Sequence, residues 1–82
     1  QVTQNVSATK GQKLAFYNNE AIKKEAAEVR TQLGDTGRLV LRVSGTEPVI
    51  RVMIEGKDIK SINVLAKGLA KIVEKELASI TD

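Results

Sequence analysis

Between residues 38 and 55 the chain reads RLVLRVSGTEPVIRVMIE, two alternating runs of apolar and polar residues on either side of a short break. Alternation with period two commits a segment to a strand, because successive side chains leave a strand on opposite faces. Gly45 and Pro48 bring turn chemistry to the break, and the two runs are therefore predicted to form a hairpin. The pattern also selects the register. Pairing Ser44 with Val49 sets Val43 against Ile50, Leu41 against Val52 and Leu39 against Ile54, so the apolar side chains share one face. A slip by one residue would set inward against outward positions, which leaves this alignment or one shifted by two.

On the opposite face the same register sets Arg38 against Glu55, Val40 against Met53 and Arg42 against Arg51. The first pair attracts and the last repels, since like charges directly opposite in a sheet are unfavourable. Arg42 and Arg51 thus call for a compensating anion or for side chains that splay apart. The break between them carries what a phosphate uses: hydroxyls on Ser44 and Thr46, backbone N–H groups that Gly45 can expose through unusual dihedrals, and a guanidinium fork at each edge. Hydrogen bonds to charged groups contribute about 1.5–3 kcal/mol each, so a few would hold a sugar phosphate at around millimolar affinity, or about −4 kcal/mol.

Two plainer explanations compete. Ser44-Gly-Thr-Glu47 matches the capping box S-x-x-E of a helix start. Pro48 falls beyond the favoured first helical position, however, and Val-Ile-Arg-Val-Met-Ile prefers strand. Alternatively, Glu47 neutralises one arginine across the turn, an ordinary surface salt bridge worth about 0–1 kcal/mol. Spacing alone leaves that explanation and phosphate binding open. Gly45 could equally serve only the turn, and Pro48 is assigned to the loop exit, without ligand contact.

The flanks supply the rest of a domain. Residues 1–9, QVTQNVSAT, suggest an edge-like strand, and KGQKLAFYN after them reads as a connection. Asn18 or Asn19 can cap a helix over about residues 19–33, where Ile22, Ala26, Val29 and Leu33 form one stripe and Gly34 marks the end. Asp58 is the expected N-cap of a longer helix that turns Ile62, Leu65, Leu69, Ile72, Val73, Leu77 and Ile80 inward. Lys60, Lys67, Lys71 and Lys75 lie on its outer side with Glu74 and Glu76 interleaved, which reads as a solvated face without function. Gly68 within this helix marks either close packing against the sheet or nothing. The order β-α-β-β-α predicts a two-layer α+β domain, a small, mainly antiparallel sheet with two helices on one face.

Eighty-two residues, 41% hydrophobic and 28% charged, provide for one core and a single domain. The absence of Cys and His removes disulfides, zinc sites built on those ligands, thiol nucleophiles and imidazole acid–base catalysis. A net charge of +3 suits an anionic ligand without demanding nucleic acid. No apolar run approaches the length of a membrane span, and no export signal is evident, so a cytoplasmic location is expected. The chain opens at Gln1 rather than Met, and a piece of a longer protein is expected.

The stretch GRLVLRVSGTEPVIRVMIEG resembles the C-terminal domain of the phosphohexomutases, whose phosphate-binding loop has the form R-x-S-G-T-E-P-x-x-R; the SGTEP form is that of the members acting on glucosamine phosphates. The close match covers about a quarter of the chain. The resemblance implies a TBP-like fold and implies that Arg42, Ser44, Gly45, Thr46 and Arg51 hold the non-transferring phosphate of a phosphosugar. Glu47 and Pro48 belong to the motif but are assigned turn-shaping roles. Val43 stands where the family often has Pro, and the register points it into the core, away from the ligand. In such enzymes four domains surround a cleft, and a phosphoserine exchanges phosphoryl groups with the sugar through a bisphosphate intermediate, with Mg²⁺. The net reaction interconverts glucosamine 6-phosphate and glucosamine 1-phosphate, a step in amino-sugar metabolism that supplies cell-wall precursors. The serine, metal and sugar-recognition loops are absent from these residues. The implied role is therefore the phosphate-anchoring fourth domain, inactive alone, with Mg²⁺ bound outside this chain and the remaining domains as its partners.

Two rival functions are weighed against this. A basic α+β domain could bind nucleic acid, but one Phe, one Tyr and no Trp offer no stacking platform. An interaction module would use the half-apolar outer face of Val40, Val49 and Met53. Neither nucleic acid nor membrane is expected as a partner.

Overall fold

In the computed structural model, which describes residues 1–81, the alternating runs form strands β2 (Arg38–Val43) and β3 (Val49–Glu55). They pair antiparallel in the expected register, with Leu39 against Ile54, Leu41 against Val52, Val43 against Ile50 and Arg42 against Arg51. Strand β1 (Val2–Ser7) pairs antiparallel with the other edge of β3, giving the order β1-β3-β2. The most apolar strand is thus the central one, and Ile50, Val52 and Ile54 are completely buried.

Helix α2 (Glu20–Leu33) buries the expected stripe of Ile22, Ala26, Val29 and Leu33. Of the two candidate caps Asn19 serves: its side-chain oxygen accepts from Ile22 N–H at 2.9 Å, and its amide donates to Glu76 at 3.1 Å. Gly34 follows at φ +55°, a conformation that L side chains rarely adopt, and leads through a short 3₁₀ turn into β2. Gly37 answers a different constraint, since a Cβ there would lie 2.3 Å from the Glu55 carbonyl oxygen of the adjacent strand.

Helix α3 (Ile59–Leu77) buries Ile62, Ala66, Leu69, Val73 and Leu77 and only partly covers Leu65 and Ile72; it ends at Leu77, so Ile80, expected on it, lies beyond the helix and is partly covered. Its cap Asp58 accepts from Ser61 Oγ at 3.0 Å and from Lys60 N–H at 3.1 Å. The Ser61 hydroxyl bond, foremost among these contacts, holds the Asp58 carboxyl below its ordinary value. Lys60, Lys67, Lys71 and Lys75 are exposed, as expected of a solvated face. Gly68 is exposed too, and no atom lies within 4 Å of where its Cβ would stand, so close packing does not explain it.

The connection expected after β1 is instead a helix, α1 (Lys10–Phe16). A capping box starts it: Thr9 Oγ1 accepts from Gln12 N–H at 3.2 Å, and Gln12 Oε1 accepts from Thr9 N–H at 2.9 Å. Gln12 Nε2 also donates to the carbonyls of Leu77 and Ile80, at 2.9 and 3.1 Å, tying α1 to the end of α3. Seven residues with an interior glycine and an exposed Leu14 carry no legible apolar period, which is why the sequence pattern conceals this helix. The α+β class stands, with three antiparallel strands and three helices. The outer sheet face carries Thr3, Asn5 and Ser7 beside Val49, Arg51 and Met53, with Val40 and Arg42 beyond, and among the described residues no helix covers it.

Candidate anion-binding site

Arg42 and Arg51 are direct cross-strand partners at the loop end of the hairpin, on this outer face. Residues 42–47 and Arg51 enclose a cavity of about 290 Å³. All five residues singled out from the sequence, Arg42, Ser44, Gly45, Thr46 and Arg51, line it; Val43 and Glu47 join them. Val43 is half-buried and packs on the core, as its inward register requires, while also bordering the cavity.

The loop is closed by its own backbone. Ser44 N–H donates to the Val49 carbonyl at 3.1 Å, and Val49 N–H donates to the Glu47 carbonyl at 2.8 Å. Ser44 Oγ accepts from Glu47 N–H at 3.0 Å, which is the first half of a capping box, but the chain goes on into β3 and not into a helix. A serine hydroxyl that accepts in this way still has its proton to donate. Among the described residues, no protein acceptor engages the N–H groups of Gly45 and Thr46. Gly45 does not adopt the positive φ that glycine uniquely favours, and a Cβ there would meet no atom within 4 Å. The unusual dihedrals expected of it are therefore not used; its contribution is open space beside the loop amides.

Both arrangements that spacing left open bear on the same arginine. Arg51 makes an ion pair with Glu47 at 2.5 Å, with both side chains substantially exposed, so the turn does contain the plain salt bridge. Arg42 has no ion-pair partner among the described residues. Arg38 pairs with Glu55 at 3.2 Å, as the register requires. Two neighbours escaped the sequence reading. Asn5 of β1 sits directly opposite Arg51, extending the polar row to Asn5, Arg51 and Arg42; nothing in the alternation of β1 named its partner strand. Lys13 of α1 donates from Nζ to the carbonyls of Ser44 and Glu47, contacts that span more than thirty residues.

The cavity therefore offers positive charge, hydroxyls and free amides, the donor set for an anion. Among the described residues there is no group of three or more His, Cys, Asp or Glu side chains that could hold a metal ion. The described residues therefore offer no ligand set of that kind for the Mg²⁺ that the sequence resemblance implies. Among the described residues, no helix is long and apolar enough to cross a membrane.

A small α+β domain with an arginine-flanked SGTEP loop at the end of its hairpin matches the phosphohexomutase C-terminal domain that the sequence resembles. The family described as "Phosphoglucomutase/phosphomannomutase, C-terminal domain" matches residues 4–72, and the chain belongs to that family. Among individual proteins, it is 50% identical over 64 residues to the phosphoglucosamine mutase of Nitrosococcus oceani, an alignment covering 78% of this chain and 14% of that protein. It is 42% identical over 77 residues to the phosphoglucosamine mutase of Clostridium botulinum (strain Kyoto / Type A2), covering 94% of this chain and 17% of that protein. The chain thus spans 14% and 17% of the lengths of these two relatives.

Proposed function

We propose that this chain is the phosphate-anchoring C-terminal domain of a cytoplasmic mutase that interconverts glucosamine 6-phosphate and glucosamine 1-phosphate. One observation carries the reading: two cross-strand arginines, two hydroxyl-bearing residues and a loop whose Gly45 and Thr46 amides have no acceptor among the described residues line a single cavity. Arg42 and Arg51 supply charge and forked donors, Ser44 and Thr46 donate hydroxyl protons, and Gly45 allows close backbone approach. Anchoring the non-transferring phosphate holds the hexose while its other end meets a phosphoserine in another domain of the full-length protein. The bisphosphate intermediate then presents either end to the same anchor. Mg²⁺ belongs to the full-length enzyme, on residues outside this chain, and the other domains are this domain's partners.

An NMR titration of the chain with inorganic phosphate, glucosamine 6-phosphate and a short RNA tests this reading. Both phosphates should shift amides within residues 42–51. Shifts confined to RNA, and spread over the exposed lysines of α3, would instead establish a nucleic-acid module. Gly45→Ala sharpens the test, because its Cβ meets nothing in the protein: melting should be unchanged or slightly raised, while phosphate affinity falls.

The Glu47–Arg51 pair gives a further expectation of opposite sign. A bound phosphate must share Arg51 with the Glu47 carboxylate or displace it. An exposed pair contributes about 0–1 kcal/mol, so Glu47→Gln should tighten phosphate binding by up to about fivefold in calorimetric titration. Weaker binding would show that the carboxylate orients Arg51 for the anion rather than competing with it.

A further inference from the structure

Three carbonyls of the loop, those of Ser44, Glu47 and Pro48, are bound by donors from the segment after β1. Lys13 Nζ donates to Ser44 O at 2.8 Å and to Glu47 O at 2.6 Å, and Ala8 N–H donates to Pro48 O at 2.8 Å. Lys13 does not line the cavity, so its ammonium holds the loop from outside it. No described peptide is cis, and in a trans peptide the carbonyl and the following N–H point in opposite directions. Fixing the Ser44 carbonyl on Lys13 therefore turns the Gly45 N–H away from Lys13. Pro48 has no N–H, so the second contact frees no donor; it holds the negative end of the Glu47 carbonyl dipole on the lysine. Released from Lys13, the Ser44 carbonyl could swing toward the cavity and repel an anion there, whereas the Glu47 carbonyl would still be held by Val49 N–H at 2.8 Å.

We infer that Lys13 is a positioning residue of the anion site: it organises residues 44–47 from behind, presenting the Gly45 amide and withholding the Ser44 carbonyl, without touching the anion. This rests on the phosphate reading for its functional consequence, but the ordering of the loop is measurable by itself. The α1 capping box and the Gln12 bonds to the end of α3 give the lysine a fixed base from which to reach. A three-donor ammonium suits the task, since it can serve two carbonyls at once.

The test compares the chain with its Lys13→Met and Lys13→Arg variants. Methionine keeps the stem and helix propensity but removes charge and donors. Lys13→Met should weaken inorganic phosphate binding about tenfold. Before phosphate is added, its Gly45 and Thr46 amides should already have moved and should exchange faster with solvent, with the helix resonances and melting temperature close to those of the parent. Lys13→Arg, which keeps charge and donors, should recover part of the loss. A loss that vanishes at high salt would reduce Lys13 to a distant charge and overturn the inference. Unchanged loop amides in Lys13→Met would overturn it as well. Should Lys13→Met fail to fold, the Lys13 ammonium protons of the parent chain decide: exchange slower than at exposed Lys67 supports the anchor, and equal exchange refutes it. If the parent itself binds no phosphate, the phosphate reading falls and takes the binding role of Lys13 with it. Loss of binding in Arg42→Ala but not in Lys13→Met sinks the positioning role alone.

Discussion

In the chain carrying Arg42→Ala and Arg51→Ala together, phosphate should shift no amide between residues 42 and 51. Charge-assisted hydrogen bonds contribute about 1.5–3 kcal/mol each, against about −4 kcal/mol for a millimolar complex, so loss of two guanidinium groups leaves nothing measurable. Each single substitution should weaken binding by about ten- to a hundredfold, and unequally. Arg42 has no competing carboxylate among the described residues, whereas Arg51 neutralises Glu47. Removing Arg51 exposes the incoming anion to an uncompensated negative charge, so Arg51→Ala should cost more, and adding Glu47→Gln should recover part of the difference. That non-additivity is what a double-mutant cycle reads. The fold should not suffer: Arg42 and Arg51 are like charges directly opposite in a sheet, so Arg42→Ala is expected to leave the melting temperature unchanged or raise it. A site that loses its ligand while the scaffold gains stability is the mark of residues kept for function. Retained phosphate shifts in the double variant would remove the site from residues 42–51 altogether.

The second large effect concerns the scaffold. Ile54 is completely buried on the central strand, with Val2 opposite on β1 and Leu39 opposite on β2. Ile54→Ala should destabilise the chain by about 2–5 kcal/mol, the range for truncating a large aliphatic side chain in a close-packed core. A domain of this size has about 4–12 kcal/mol in total, so the urea midpoint should fall by about a sixth of its value or more. Met53→Ala, one residue away on the outer face and half-exposed, should change it far less. Equal effects at 53 and 54 would contradict the register on which the anion site depends.

The hairpin was legible because its information is local. Period-two alternation on both sides of a short break defines the faces and narrows the pairing to two alignments, one of which brings Leu39, Leu41, Val43, Ile50, Val52 and Ile54 to the inner face and leaves Arg42 and Arg51 on the outer one. Arg42 opposite Arg51 follows from that alignment without any tertiary knowledge. The stripe of α2 and the Asp58 cap of α3 were legible for the same reason, each being set by residues three or four apart. The Thr9–Gln12 capping box was also local and was passed over, because no apolar period followed it.

What a short window does not hold was decided by the tertiary structure. Strand β1 could be recognised as an edge, but its pairing with β3, which places Asn5 beside Arg51, joins residues more than forty positions apart. The attachment of Gln12 to the end of α3 joins residues 65 and 68 positions apart, and the reach of Lys13 to the anion loop spans 31 and 34. Such hydrogen bonds leave no periodic mark, since they require only one donor and one carbonyl brought together by packing. The sequence by itself determined which side chains line the proposed anion site, because strand geometry translates spacing directly into facing. Only the tertiary structure decided how the loop between them is held, because its carbonyls are bound by a segment that the chain reaches only after folding.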